Sequence, residues 1–260
     1  MSAETCLEAR DVSLHYPQGS EQLVACHKLN FSMAQHERLV ILGPSGCGKS
    51  TLLKAIAGFI PTSGGSLTLN HHPIQGPSAD RAVVFQEFDQ LLPWKTVHEN
   101  VVFALVHSGL LKREAALVRA QHYLQKVGLG EFLTAYPHTL SGGMKQRVAI
   151  ARAFALHPKL LLMDEPFAAL DALTRQTLQQ ELLTLSLETR LSLIFVTHSV
   201  EEALLIASHI LILSPHPGQV QAYITLPDGP RSPQFLADTQ EKIERLLFQT
   251  ITAKHLRQAA

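Results

Sequence analysis

The run Leu39-Val40-Ile41-Leu42 passes without a break into Gly43-Pro44-Ser45-Gly46-Cys47-Gly48-Lys49-Ser50-Thr51 and then into a helix-compatible stretch that ends at Gly58. A short, uninterrupted apolar run reads as a strand buried on both faces, which restricts the fold to a sheet covered by helices. The loop that follows carries the full G-x-x-x-x-G-K-S spacing from Gly43 to Ser50, between that strand and a helix expected over 49–58. Such a loop curls its amides around phosphate oxygens at a helix N-terminus, where the first backbone N–H groups lack intrahelical partners. Lys49 supplies a positive charge for the β- and γ-phosphates, and Ser50 a hydroxyl for Mg²⁺. Residues 43–51 are therefore the expected nucleotide cradle.

Four further apolar runs stop on polar groups in the same way: Ala82 to Phe85 at Gln86, Leu160 to Met163 at Asp164 and Glu165, Leu193 to Val196 at Thr197 and His198, and Ile210 to Leu213 at Ser214. In parallel sheets ligands sit beyond the carboxyl ends of the strands, so these endings belong to the same chemistry as the glycine loop. Two adjacent carboxylates at a buried strand end raise each other's pKa unless a cation is near. This points to Asp164 as a partner of Mg²⁺ and to Glu165 as the group that polarises a water for attack on the γ-phosphate. Gln86 and His198, weak signals singly, gain weight from their placement at neighbouring strand ends. Tyr16, upstream of the loop, is either a stacking surface for a base or ordinary sheet packing.

Nearly eighty residues separate Gln86 from Asp164, far more than one crossover helix requires, so a helical insert is expected. Thr96-Val97-His98-Glu99 has the form of a capping box, the stretch 112–127 is rich in helix formers, and Ser141 opens a third helix through Leu156. Alternating patterns over 6–42 and 66–74 suggest a small antiparallel sheet, and an amphipathic helix is expected from Phe235 to Leu256. The domain reading is a cassette over 1–229, with a helical subdomain at about 90–156 inserted in its core, and a helical tail over 230–260. The 22 Lys and Arg are balanced by 22 Asp and Glu, so the basic surface of a nucleic-acid binder is missing and no nucleic acid is expected as a partner. No apolar run reaches the length that crosses a bilayer, and the acidic N-terminus MSAETCLEARD has no signal-like core, so a cytosolic location is expected. Three cysteines, Cys6, Cys26 and Cys47, suit reduced thiols, and Cys47 inside the loop is expected to be open to alkylation that ATP prevents.

Leu140 to Arg147 reads LSGGMKQR, a serine at a helix N-cap followed by two glycines and a basic stretch: a second anion site in a chain that already has one. The P-loop, Gln86, LSGGMKQR, LLLMDEP at 160–166, AALD at 168–171 and His198 together resemble, in order and spacing, the nucleotide-binding subunits of ABC transporters over residues 5–220. The resemblance implies an α/β fold, a P-loop NTPase (RecA-like) core with a mostly parallel sheet, an antiparallel β subdomain and the inserted helical subdomain. It implies ATP and Mg²⁺ as cofactors and a head-to-tail dimer, in which Ser141, Gly142 and Gly143 hold the γ-phosphate of the ATP bound to the partner's Lys49. Carried over residue by residue, Tyr16 stacks on adenine, Gln86 senses Mg²⁺ and the attacking water, and Ser50 and Asp164 place the metal. Glu165 is then the base, His198 contacts the γ-phosphate and Asp171 aligns the opposing site. Ala168 stands where the family has Gly or Ser, and Ser199 where Asp is commoner.

VFQEFDQLLPWKTVHENV (84–101), EPFAALDALTR (165–175) and LSPHPGQV (213–220) resemble the importer branch for nitrate, taurine, aliphatic sulfonates and thiamine-precursor pyrimidines. That implies a homodimer or paired cassette on the cytoplasmic face of the inner membrane, integral permease subunits met through Trp94, and an extracytoplasmic solute-binding protein reached indirectly. A soluble ABC ATPase with no role in transport is the alternative; a single cassette without a coiled-coil insert or basic surface weighs against it.

Overall fold

The computed structural model describes residues 4–18, 21–87 and 90–258. In chain order it contains β1 (Thr5–Gln18), β2 (Glu21–Ala34), β3 (Arg38–Leu42), α1 (Lys49–Ala57), β4 (Gly64–Leu69), β5 (His72–Pro73) and β6 (Arg81–Val84). Then come α2 (Val97–His107), α3 (Arg113–Lys126), α4 (Gly142–Ala155), β7 (Leu160–Asp164) and α5 (Ala172–Thr189). The chain finishes with β8 (Ser192–Thr197), α6 (Val200–Ile206), β9 (His209–Leu213), β10 (Val220–Thr225) and α7 (Pro233–Gln258). It falls into two compact units, Met1–Ser78 with Ser192–Ala260, and Ala79–Leu191.

The first unit holds an antiparallel sheet in the order β2-β1-β4-β5. It also holds β3 in parallel pairing with β8 on one side and β9 on the other, with β10 antiparallel to β9. The strand register sets the site: Leu42 lies level with Thr197 and with Ile212, so the glycine loop and the turn at His198 leave adjacent strands at the same height. Leu39, Val40, Ile41 and Leu42 are all fully buried, each side chain contributing about 1.5–3 kcal/mol relative to exposure. The expected antiparallel sheet is present and all five apolar runs form strands, although in β6 burial alternates, with only Ala82 and Val84 buried. β10 was not expected: its residues are half-exposed, because an edge strand lacks the continuous apolar run that marks a strand covered on both faces.

In the second unit β6 and β7 pair in parallel with Val84 opposite Met163, which brings the segment at Gln86 and the Asp164-Glu165 pair to one end. The helices follow the sequence signals closely. Thr96 and Glu99 form a complete capping box at α2, Lys112 precedes α3, and Ser141 caps α4. α7 packs back on the first unit, where Ile243 is fully buried and Gln221 donates to the Leu246 carbonyl at 2.9 Å. The side chains of 249–256, the end of the expected amphipathic helix, lie outside the described residues, as do Phe88 and Asp89.

Candidate functional site

α1 begins without a side-chain cap. Its N-cap is Gly48, at φ 100°, with no acidic residue in the first turn, so the positive end of the helix dipole faces the loop uncompensated. A Cβ at position 48 would stand 2.6 Å from Cys26 Sγ and 2.8 Å from the Ala25 carbonyl. Both the left-handed backbone and this close approach therefore require glycine. Lys49 is 5% exposed, and its ammonium donates to the carbonyls of Gly43 at 2.8 Å and Pro44 at 3.1 Å. The loop thus concentrates one cation and a helix N-terminus at a single place, which is the electrostatic requirement for a polyphosphate. Ser50 is exposed on the first turn of α1, and Tyr16, on β1 opposite Leu23, is 41% exposed.

Cys47 departs from its sequence expectation. It is fully buried, as are Cys6 and Cys26, and burial pushes its thiol up, although Lys49 pulls the other way. The neighbouring Cys26, whose Sγ donates to the Gly48 carbonyl at 3.6 Å, is pushed up to about 12 by burial and then by Cys47. Only the thiolate reacts with alkylating agents, and it has to be reachable. The native chain treated with iodoacetamide at pH 8 is therefore expected to carry no adduct on Cys47 by mass spectrometry, with or without ATP, and three adducts after denaturation. A rapid adduct that ATP suppresses would contradict the packing.

His198 is exposed directly beyond β8, in a turn that its neighbours help to fix. The Thr197 hydroxyl donates to the Glu202 carboxylate and accepts from the Ser199 amide at 3.0 Å, while Ser199 accepts from the Glu202 amide at 3.2 Å as N-cap of α6. Ser199 thereby supplies the capping oxygen at the position where an aspartate is commoner.

In the second unit, Asp164 is 9% exposed at the last position of β7, and Glu165 follows with φ 43°. A non-glycine residue held in the left-handed region costs about 1–3 kcal/mol. The turn imposes it: Ala168 donates to the Glu165 carbonyl at 3.2 Å, Leu170 to the Phe167 carbonyl at 3.2 Å, and Phe167 is completely buried as an anchor. This strained backbone, at the residue assigned as base, leaves no mark in the residue pattern.

Two helix N-termini meet at LSGGMKQR. Ser141 accepts from the Met144 amide at 3.3 Å, and a Cβ on Gly143 would stand 2.7 Å from Thr174 Cγ2, so the start of α4 packs closely against the start of α5 and any larger residue there would displace Thr174. α5 is already satisfied: Asp171 accepts from the Thr174 amide at 3.0 Å, and that bond above all holds its carboxyl below the usual range. The cap of α4 is the neutral Ser141 where that of α5 is the carboxylate of Asp171, so of the two α4 is the one suited to an anion. Arg147 braces this helix, donating to both carboxylate oxygens of Glu181 at 2.6 and 2.7 Å and to the Val127 carbonyl at 2.7 Å.

Gln86 is exposed two residues beyond β6. Sequence reasoning missed the groups around it: Gln90, Gln146 and Arg152 surround the adjoining backbone. The one available signal was Gln146 itself, inside a motif whose phosphate chemistry left it without a task.

Residues 26–168 match the family described as ABC transporter. Taurine import ATP-binding protein TauB of Rhizobium johnstonii is 46% identical over 248 residues, covering 91% of this chain and 92% of that protein. The protein of the same name from Yersinia pestis bv. Antiqua is 44% identical over 237 residues, covering 86% and 92%. Among solved structures, a dimeric bacterial ABC transporter cassette superposes with a TM-score of 0.76 at 31% identity, over 86% of this chain and all of the other.

Proposed function

Because the chain belongs to the ABC transporter family, we propose that it is the ATP-hydrolysing subunit of an importer for a small sulfonate, taurine first, closing head to tail on a second cassette to drive a permease. ATP is its nucleotide and ATP hydrolysis its reaction. The observation that carries the dimer reading is the presence of two anion-ready helix starts, α1 behind Gly48 and α4 behind Ser141, neither with an acid in its first turn. One ATP needs both, and two copies in opposite orientation supply each ATP with one of each. Tyr16 stacks on adenine, residues 43–51 take the phosphates, and Ser141, Gly142 and Gly143 meet the γ-phosphate of the opposite chain. Glu165 activates water, His198 contacts the γ-phosphate, and Asp171 aligns the opposing site.

The donors assigned to Mg²⁺ are Ser50, Gln86 and Asp164: a hydroxyl, a carboxamide and a carboxylate, the hard oxygens this cation takes beside water and phosphate. Asp164 lies nearly buried at its strand end, where a bound cation would stabilise its carboxylate. Among the described residues no group of three or more His, Cys, Asp or Glu could hold a metal. When bound, Mg²⁺ neutralises the charge that develops on the phosphoryl group.

A permease is supported by Trp94, 70% exposed. It stands one residue before Lys95, which lines a groove with Glu99, Val102, Phe103, Val106 and Arg113. A large exposed aromatic beside a groove is the usual form of an interaction anchor. No helix among the described residues is long and apolar enough to cross a membrane. In this reading the chain is peripheral, on the cytoplasmic face, and reaches an extracytoplasmic binding protein only through the permease. The names of the relatives support taurine over nitrate or a pyrimidine. Uptake of labelled taurine in cells lacking the chain tests this: loss restored by the wild-type chain is expected, and undiminished uptake contradicts it. Recovery of the chain without any permease from a membrane fraction would favour the soluble alternative.

A further inference from the structure

Gln86 is flanked by two peptides that one side chain holds. Gln90 accepts from the Phe85 amide through Oε1 at 3.2 Å, and its Nε2 donates to the Phe85 carbonyl at 3.0 Å and to the Glu87 carbonyl at 3.0 Å. The residue before Gln86 and the residue after it are thus tied to the same carboxamide. Gln90 is in turn held by α4. Gln146, completely buried, donates to the Phe85 carbonyl at 3.4 Å and accepts from Gln90 Nε2 at 3.4 Å, and Arg152 donates to the Gln90 carbonyl at 2.8 Å.

We infer that Gln90 and Gln146 are positioning residues for ATP hydrolysis, a carboxamide clamp that fixes the backbone on both sides of Gln86 to the helix capped by Ser141. A buried amide network of this kind specifies one geometry, because each broken link leaves a polar group unpaired away from water. α4 is a continuous helix of fourteen residues, so a displacement at its Ser141 end reaches Gln146 and Arg152 together, and through Gln90 the segment that presents Gln86. Occupation of the α4 N-terminus by the opposing ATP would then be felt at Gln86, although neither Gln90 nor Gln146 touches nucleotide. The inference rests on the role given above to Gln86.

A mutant cycle on the full chain with Mg²⁺ and ATP tests it. Gln90→Leu is expected to lower kcat about 10-fold, the size typical when a partner behind a ligating residue is removed, with equilibrium binding of a fluorescent ATP analogue unchanged. Placed on Gln86→Ala, the same change is expected to cost nothing further, because the group it positions is already gone. A loss of equal factor in both backgrounds overturns the clamp and leaves only a packing role. Gln86→Ala with wild-type turnover overturns the assignment of Gln86 itself, and the clamp with it. Gln146→Leu, which keeps the volume and stays within a buried face, runs through the same cycle with the same criteria should Gln90→Leu fail to fold.

Discussion

Lys49→Ala is expected to abolish measurable ATP turnover while the chain remains folded. The ammonium is the cation that the phosphate loop gathers at its centre, fixed by two carbonyls of the loop itself at 2.8 and 3.1 Å. Removing one preorganised charge of this kind from phosphoryl or acyl transfer costs about 10²–10³-fold in kcat. Stability suffers less. The hydrogen bonds lost from a charged donor are worth about 1.5–3 kcal/mol each, and relief from burying an ammonium offsets part of that. The helix behind the loop keeps its hold through Leu52 and Leu53, both completely buried. Steady-state phosphate release beside a thermal melt checks this; turnover near that of the wild type would remove Lys49 from the site.

Glu165→Gln is expected to keep ATP binding and lose hydrolysis. The amide matches the carboxylate in shape and leaves the backbone bond from Ala168 in place, so the left-handed turn that aims the side chain survives. What disappears is the ability to take a proton from the attacking water, a contribution of about 10²–10⁴-fold. Single-turnover phosphate release with pre-bound ATP separates the two properties. Release at the wild-type rate would show that the base lies elsewhere, and loss of binding would show that the substitution disturbed the turn.

The elements that could be read from sequence are those whose cause is local. Leu39 to Leu42 and Leu160 to Met163 announce themselves because a strand covered on both faces needs no alternation. Thr96 with Glu99, and Ser141, announce helix starts because the orphan amides of a first turn have few possible partners. The glycine loop is legible because phosphate binding demands glycine at fixed offsets. β10 escaped because an edge strand alternates weakly. The burial of Cys47, which argues against the reactivity expected of it, was not legible, since its neighbour Cys26 comes from a distant strand and burial is a tertiary property. Glu165's backbone and the clamp of Gln90 and Gln146 escaped for the same reason: a strained turn anchored by Phe167, and a carboxamide that meets a residue 56 positions away, leave no periodic or compositional trace.

The central claim is that ATP joins two copies of this chain through the P-loop of one and LSGGMKQR of the other. The most direct test is the solution mass of the Glu165→Gln protein by light scattering after size exclusion, with Mg²⁺ and ATP and separately with ADP. The account predicts twice the 28.6 kDa of one chain with ATP and a single chain with ADP. A mass of one chain under both conditions, with ATP shown to be bound, would contradict it.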